Sequence, residues 1–485
     1  MNMKKILIVS FIAFAGLALI KLEGSISTAS AAKPYDVVIL GGRVIDPESK
    51  LDAVRNIGIS NGRIAIITAQ KIDGLNVLDA KGQIVAPGFI DLHEHGQTPD
   101  NYKLQAMDGV TSSLELEVGT NDVDKWYAER EGRALVNHGV SIGHIQSRMK
   151  LMNDPGAFLP SGPAVNLKAT DAQIAELKKM IAHGLDRGAV AVGFGPAYTP
   201  AASQWEIQEM FRVAAKYTAS CHVHLREARE PAIGALQEVI ADAAITGAPL
   251  HVVHINSTGT EITPRLLQMI GEAQSRKLDV TTECYPYIAG MTRIDSALFS
   301  EGFQERLGVD YKDLMWPKTG ERLTPESFAR YRKAGGEVII FSNTEEMVKV
   351  AVTSPLTMIA SDGYMENGKG HPRTSGTYSQ VLGKYVREMK ALTLMEALRK
   401  MSLMPAQRLE RRAPMMKNKG RIRVGADADI VVFDADRIID RATYAEPTRY
   451  SEGMKYVMIN GIPVVSEGRL KDGVFPGKAI RAAIR

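Results

Sequence analysis

The chain of 485 residues contains only two cysteines, Cys221 and Cys284. Two thiols make no disulfide framework, and each lies in an apolar, strand-like run, which predicts two buried free thiols. An excess of one charge is also missing: 59 Lys and Arg oppose 55 Asp and Glu, a net charge of +4 at pH 7. No block of like charges occurs, so the sequence offers no electrostatic footprint for nucleic acid. There is no internal repeat and no low-complexity tract. Beyond the first 20 residues no apolar run is long enough to span a bilayer, which takes about 20 residues. What remains is an ordinary globular composition, 45% hydrophobic and 24% charged. It suffices for one large domain plus a smaller one.

The N-terminus is different in kind. Lys4 and Lys5 form a basic start, Ile6 to Ile20 an apolar run, and Ala29-Ser30-Ala31 a small-residue cleavage pattern. This reads as a secretory signal peptide over residues 1–31 rather than a membrane anchor, because the apolar run is short for a span. The expectation is an exported protein, periplasmic or secreted, with no stable membrane insertion after cleavage.

Three zones follow. Residues 32–87 and 418–474 read as Val/Ile-rich strands broken by Gly-Gly, Asn-Gly and Lys-Gly turns, the pattern of β-hairpins. They predict one small β-sandwich built from both chain ends, with residues 475–485 as a C-terminal tail. The middle, residues 88–417, alternates short apolar strands with helical stretches such as "DAQIAELKKMIAHGLDRG". Repeated strand–helix units argue for a parallel sheet. Eight candidate strands in order predict an α/β fold, a (β/α)8 TIM-like barrel. A doubly wound open sheet is the structural alternative.

Polar groups at the strand ends favour the barrel. His93 and His95, Glu115 and Glu117, His144, His224, His254, Tyr285 and Asp362 each fall at the end of a candidate strand, where barrel active sites collect. Residues two apart on a strand share a face, so His93 and His95 can address one ion. His224 and His254 are nearer their strand ends than His222 and His251; His222 reads as a buried support, and His251 as a structural residue on the other face of its strand. Asp362 follows "MIA" and precedes glycine, a position from which a carboxylate can relay a proton. No candidate strand carries a lysine to serve as a shared anionic ligand. "LELEV" offers Glu117 instead, with Glu115, deeper in the barrel, as the alternative. Imidazole plus carboxylate suits zinc, one ion or two, with other divalent transition metals open.

At this point the chain resembles the amidohydrolase superfamily and, within it, the N-acyl-D-amino-acid deacylases (D-aminoacylases). The resemblance rests on "VAPGFIDLHEHG", "GHIQSR", "HLRE", "ECYPYIAGMT", "IASDG", "HPRTSGTYSQVLGKYVRE" and "KGRIRVGADADIVVFD". It implies a metal-dependent hydrolase of a non-peptide amide C–N bond, with ligands at His93, His95, His224, His254 and Asp362, and Asp362 as acid/base. This sequence departs from the pattern at three places. Where the deacylases carry a cysteine ligand it has "LELEVG"; Asn256 stands for a lysine; Met291 stands for a serine. With Tyr285, that lysine and serine hold the substrate carboxylate in the family. Arg373, Arg226, Tyr198 and His144 remain as further candidates, Arg373 foremost because its fork pairs with a carboxylate. His144 or Tyr285 is the candidate donor to a developing oxyanion. The same core also serves cyclic-amide hydrolysis and deamination, since fold does not set chemistry. A non-catalytic exported binding protein is the third reading. The expected partner is a small-molecule amide, not nucleic acid.

Overall fold

Eight parallel strands carry the architecture, and they are buried over nearly all of their length because helices cover the outer face and side chains fill the lumen. The computed structural model describes residues 34–485; the expected signal peptide lies outside the described residues. The strands are β1 (Phe89–Asp91), β2 (Val110–Thr120), β3 (Asn137–Gly143), β4 (Ala191–Phe194), β5 (Ser220–Val223), β6 (Leu250–Val252), β7 (Val280–Cys284) and β8 (Thr357–Ile359). Neighbours in sequence are neighbours in space, all paired in parallel. Helices lie between most of them. The helix Asp171–Asp186 shows why: Thr170 and Gln173 form a capping box, and Ile174, Leu177, Ile181 and Leu185 form a buried stripe at helical spacing. That stripe packs with Val140, Ile142, Val192 and Phe194 of the strands. Cys221 and Cys284 are buried free thiols.

The seam between β8 and β1 closes beyond the strand ends. Asp362 N donates to His93 O at 2.7 Å, and His95 N donates to Gly363 O at 2.8 Å. Ser361 N reaches the Asp91 carboxylate at 3.2 Å. The barrel therefore closes through the same residues that carry the opening histidines and Asp362.

The second strand is irregular. Its pairing with β3 runs from Glu115↔Val140 directly to Thr120↔Ile142, so residues 116–119 bulge out of register. Two glycines make room. A side chain at Gly193 would meet Glu117 O at 2.1 Å, and one at Gly143 would meet Val118 O at 2.0 Å.

The two chain ends form one hydrogen-bonded sheet of nine strands. Strand Tyr35–Asp46 joins its parts, pairing with Gly74–Asp79 through its first half and with Ile84–Pro87 through its second. A single core holds residues of both ends, among them Ile39, Ile57, Leu78, Ile430 and Met458. The strands of both chain ends thus belong to one small unit.

One unit was not foreseen from the sequence. Between β7 and β8 the strands Ala289–Arg293, Leu314–Trp316, Glu321–Arg322 and Glu337–Phe341 form an antiparallel sheet. It has its own core around Phe299, Phe303, Trp316 and Phe328. No helix among the described residues is long and apolar enough to cross a membrane.

The final residues run along the barrel. Gly477 N donates to Ala134 O at 3.0 Å, Ile480 N to His138 O at 2.7 Å and Ala482 N to Gly188 O at 3.0 Å. Ile480 is fully buried among Leu114, Val190 and Leu409. Ile480→Ala is expected to lower the unfolding free energy by about 2–5 kcal/mol, the usual cost of such a core truncation. Urea denaturation measures it; a change below about 0.5 kcal/mol, the range of a surface substitution, would remove these residues from the barrel's cooperative unit.

Candidate metal centre and active site

Six side chains converge at the C-terminal mouth of the barrel. His93 and His95 leave β1, Glu117 sits on the bulge of β2, His224 and His254 follow β5 and β6, and Asp362 follows β8. They form two donor groups that share one residue: His93, His95, Glu117 and Asp362, and Glu117, His224 and His254. Around Glu117 Oε2, His93 Nε2 lies at 2.9 Å and His95 Nε2 at 3.2 Å. Asp362 Oδ1 is 3.4 Å and 3.3 Å from the same two nitrogens. Around Glu117 Oε1, His224 Nδ1 lies at 2.8 Å and His254 Nε2 at 3.8 Å. One carboxylate thus turns one oxygen to each group.

These spacings fit a bound cation. Zn–N bonds of about 2.0–2.1 Å at tetrahedral angles put ligand atoms about 3.3 Å apart. The ring nitrogens of His93 and His95 face each other at 3.2 Å, so their lone pairs need a proton or an ion between them. The titration of the group says the same. Burial pushes His93 down, but Asp362, Glu117 and Glu283 outweigh it and raise it well above the usual range. Burial pushes Glu117 up, and His93, His224 and His254 outweigh that and hold it well below the carboxylate range. The cluster draws positive charge, and a divalent ion supplies it without protonating the ligands.

A layer of carboxylates fixes the imidazoles. Glu115 Oε2 accepts from His95 Nδ1 at 2.6 Å, which leaves the Nε2 lone pair facing the group. Its other oxygen accepts from Val118 N at 3.1 Å and Gly119 N at 3.2 Å, the amides that the β2 bulge frees from the ladder. Glu283 Oε1 accepts from His93 Nδ1 at 2.6 Å, and Oε2 from His251 Nε2 at 2.9 Å. Burial pushes Glu283 up; His251 and His93 outweigh it and hold it at about 2. Sequence reasoning passed over Glu283, although it lies two residues before Tyr285 on the same strand face. His251, expected on the other face of its strand, instead shares Glu283 with His93, and its ring lies 4.6 Å from that of His222.

Asp362 and His254 both have left-handed backbone, at φ +54° and +30°. Such angles in non-glycine residues concentrate at functional sites. Arg373 Nη1 lies 3.0 Å from Asp362 Oδ2. Burial pushes Asp362 up, and Arg373, then His93, outweigh it and hold it below the carboxylate range.

The donors open into a cavity of about 380 Å3 lined by Tyr198, Tyr285, Arg373, Phe158 and Tyr364, among others. Three of the candidate substrate residues are placed differently from expectation. His144 is fully buried, stacked on Phe194 and bonded through Nε2 to Glu206 at 2.8 Å, so it cannot donate to an oxyanion in the cavity. Asn256 is buried and donates through Nδ2 to the carbonyl of Tyr285 at 3.0 Å; it braces the strand end rather than lining the cavity. Arg226 lines the cavity but is bound bidentately to Glu238 at 2.9 and 2.6 Å. Tyr198 lines it with its hydroxyl 3.0 Å from Thr292 Oγ1 and its ring 4.8 Å from His224. Arg373 lies over the Tyr285 ring at 4.7 Å.

A closed eight-stranded barrel with imidazoles and carboxylates gathered at its mouth is the form of a metallohydrolase. Comparison with known proteins agrees: the amidohydrolase family profile matches residues 138–465, and the chain belongs to that family. It is 30% identical to an N-acyl-D-glutamate deacylase of Alcaligenes xylosoxydans xylosoxydans, over 88% of this chain and 93% of the relative. It is 27% identical to a D-aminoacylase of the same organism, over 90% and 96%. The crystal structure of an N-acyl-D-glutamate deacylase from Bordetella bronchiseptica, complexed with zinc and a phosphonate inhibitor, superposes with a TM-score of 0.80. It is 28% identical, covering 93% of this chain and 100% of that one.

Protein purified without chelator is expected to carry one or two equivalents of transition metal by elemental analysis. Glu117→Gln should lose metal from both donor groups. Glu115→Gln should weaken binding about 10- to 100-fold, as for a group that orients a ligand. A chelator titration of the two variants that ranks them the other way would exchange their roles.

Proposed function

We propose that this chain hydrolyses the amide bond of N-acyl-D-amino acids with a metal centre held by His93, His95, Glu117, His224, His254 and Asp362. The observation that carries the reading is the sharing of Glu117, one oxygen toward each donor group. The Glu117 carboxylate would hold metal here where the resembled deacylases use a cysteine ligand. The zinc-bound relative and the deacylase relatives support the substrate class.

When bound, the metal supplies Lewis acidity toward water and toward an amide carbonyl. The residues of the chain do the rest. Asp362 Oδ1 faces the donor groups while Oδ2 is held by Arg373, so the carboxylate has one orientation. It takes the proton of the attacking water and returns it to the departing nitrogen. That return runs downhill, because an amine is far more basic than a carboxylate held low by Arg373. Tyr285 and Arg373 form the wall on which the substrate carboxylate is held. Tyr285, whose hydroxyl burial pushes up to about 12, stays protonated and donates.

Export through residues 1–31 belongs to the same proposal. It rests on the basic start, the apolar run and the Ala-Ser-Ala pattern of the sequence.

The direct test is release of free amino acid from N-acyl-D- and N-acyl-L-amino acids, with cyclic imides and aminopurines as controls. Asp362→Asn is expected to keep the fold while kcat falls more than tenfold, a barrier rise above about 1.4 kcal/mol. A variant retaining a tenth or more of wild-type kcat would remove Asp362 from the acid/base role.

A further inference from the structure

The charges lining the cavity are not evenly satisfied. Five arginines line it: Arg226, Arg229, Arg293, Arg306 and Arg373. Four sit on carboxylates: Arg226 on Glu238 at 2.6 Å, Arg229 on Glu261 at 2.5 Å, Arg293 on Asp295 at 3.0 Å and Arg373 on Asp362 at 3.0 Å. Arg306, at the exposed rim, turns its donors onto the carbonyls of Leu298, Ser300 and Glu301. A side-chain anion must therefore displace a carboxylate from Arg226, Arg229 or Arg293, whereas Arg373, whose Nε has no hydrogen-bond partner among the described residues, is left for the substrate carboxylate.

Glu337 is the opposite case. It stands on the inserted sheet, paired in register with Arg293, and lines the cavity. Its side chain is only 15% exposed, and its partner Arg293 is 3.9 Å away and already bound to Asp295. Among the described residues no hydrogen bond reaches the Glu337 carboxylate. It lines the same cavity as His95, Tyr198 and Tyr364, so it overlooks the mouth of the donor groups. A half-buried carboxylate without a committed cation is a costly feature to retain in a cavity wall. It is offset when a ligand brings the cation.

We propose that Glu337 receives a positively charged substrate side chain, so that the enzyme prefers N-acyl amino acids with basic side chains and rejects acidic ones. The inference rests on the deacylase reading above and adds the substrate class. The acidic specificity in the name of the N-acyl-D-glutamate deacylase does not transfer, because the cavity wall here holds a carboxyl group whose nearest cation, Arg293, is 3.9 Å away and bound to Asp295. The carboxyl responds to its surroundings accordingly. Burial pushes it up to about 7, against the pull of Arg293 and His95, and a bound ammonium or guanidinium would draw it back to the charged form.

The test compares kcat/KM for N-acetyl-D-lysine, N-acetyl-D-arginine, N-acetyl-D-leucine and N-acetyl-D-glutamate, in wild type and Glu337→Gln. The basic substrates are expected to exceed the glutamate derivative at least tenfold in wild type. The basic-to-leucine ratio should fall at least tenfold in the variant. A glutamate derivative that matches the basic substrates, or a ratio unmoved by the substitution, overturns the proposal. Should the variant fail to accumulate as folded protein, the wild-type ranking alone decides. If no N-acyl amino acid is cleaved, the deacylase reading fails, and calorimetry of D-arginine and D-glutamate binding to the metal-loaded protein decides the charge preference separately. At least tenfold tighter D-arginine keeps the role of Glu337; equal binding removes it.

Discussion

The site depends on the way the barrel closes. The first and last strands are some of the most distant in the chain, and no regular ladder joins them. The seam is made instead by Asp362 N on His93 O and His95 N on Gly363 O. These bonds place His93, His95 and Asp362 side by side before any metal is considered. Asp362 makes its seam bond with a left-handed backbone. Backbone hydrogen bonds at fixed lengths are stiffer than side-chain rotamers, so the donor group is preorganised by the fold itself.

The lumen of the barrel is polar where most cores are apolar. Starting from His93, a hydrogen-bonded column runs through Glu283 and His251 to Thr281, and on to Arg408 and the half-exposed Asp279. Each carboxylate and imidazole of the column has a partner, which is the condition for tolerating such a network. Removing one member would leave another charged and unpaired in a dry environment, a larger loss than the pair's own net contribution. The outward faces of the same strands are apolar and pack against the helices. Stability and chemistry thus occupy opposite faces of each strand, separated by the period of two.

The inserted sheet converts an open barrel mouth into a cavity. Arg293 and Glu337 come from two of its strands, whereas the metal donors come from the barrel. The charge balance facing a substrate is consequently set by a unit that the donor groups do not need. In a family where one core serves many reactions, such a wall lets specificity change without disturbing the ligands.

Much of this was legible in the residues. The eight strands, their order and the donors at their ends follow from apolar runs, helical stripes and the position of His, Glu and Asp after each run, because those signals are local. Glu117 and not Glu115 at the centre of the donors also agrees with its place nearer the strand end. The reason is more particular than a straight strand provides. A bulge over residues 116–119 carries Glu117 inward, glycines at 143 and 193 admit it, and Glu115 turns back to cap the freed amides. Neither bulge nor cap has a signature in "LELEVG". His144, Arg226 and Asn256 misled for the same reason: their residue types suit a substrate site, and only packing against Glu206, Glu238 and Tyr285 decides that they serve the scaffold. Glu283 and Glu337 were missed because a carboxylate's role depends on what faces it. Local spacing determines which strand face a side chain occupies; which charges meet across the barrel is decided only when distant strands close on one another.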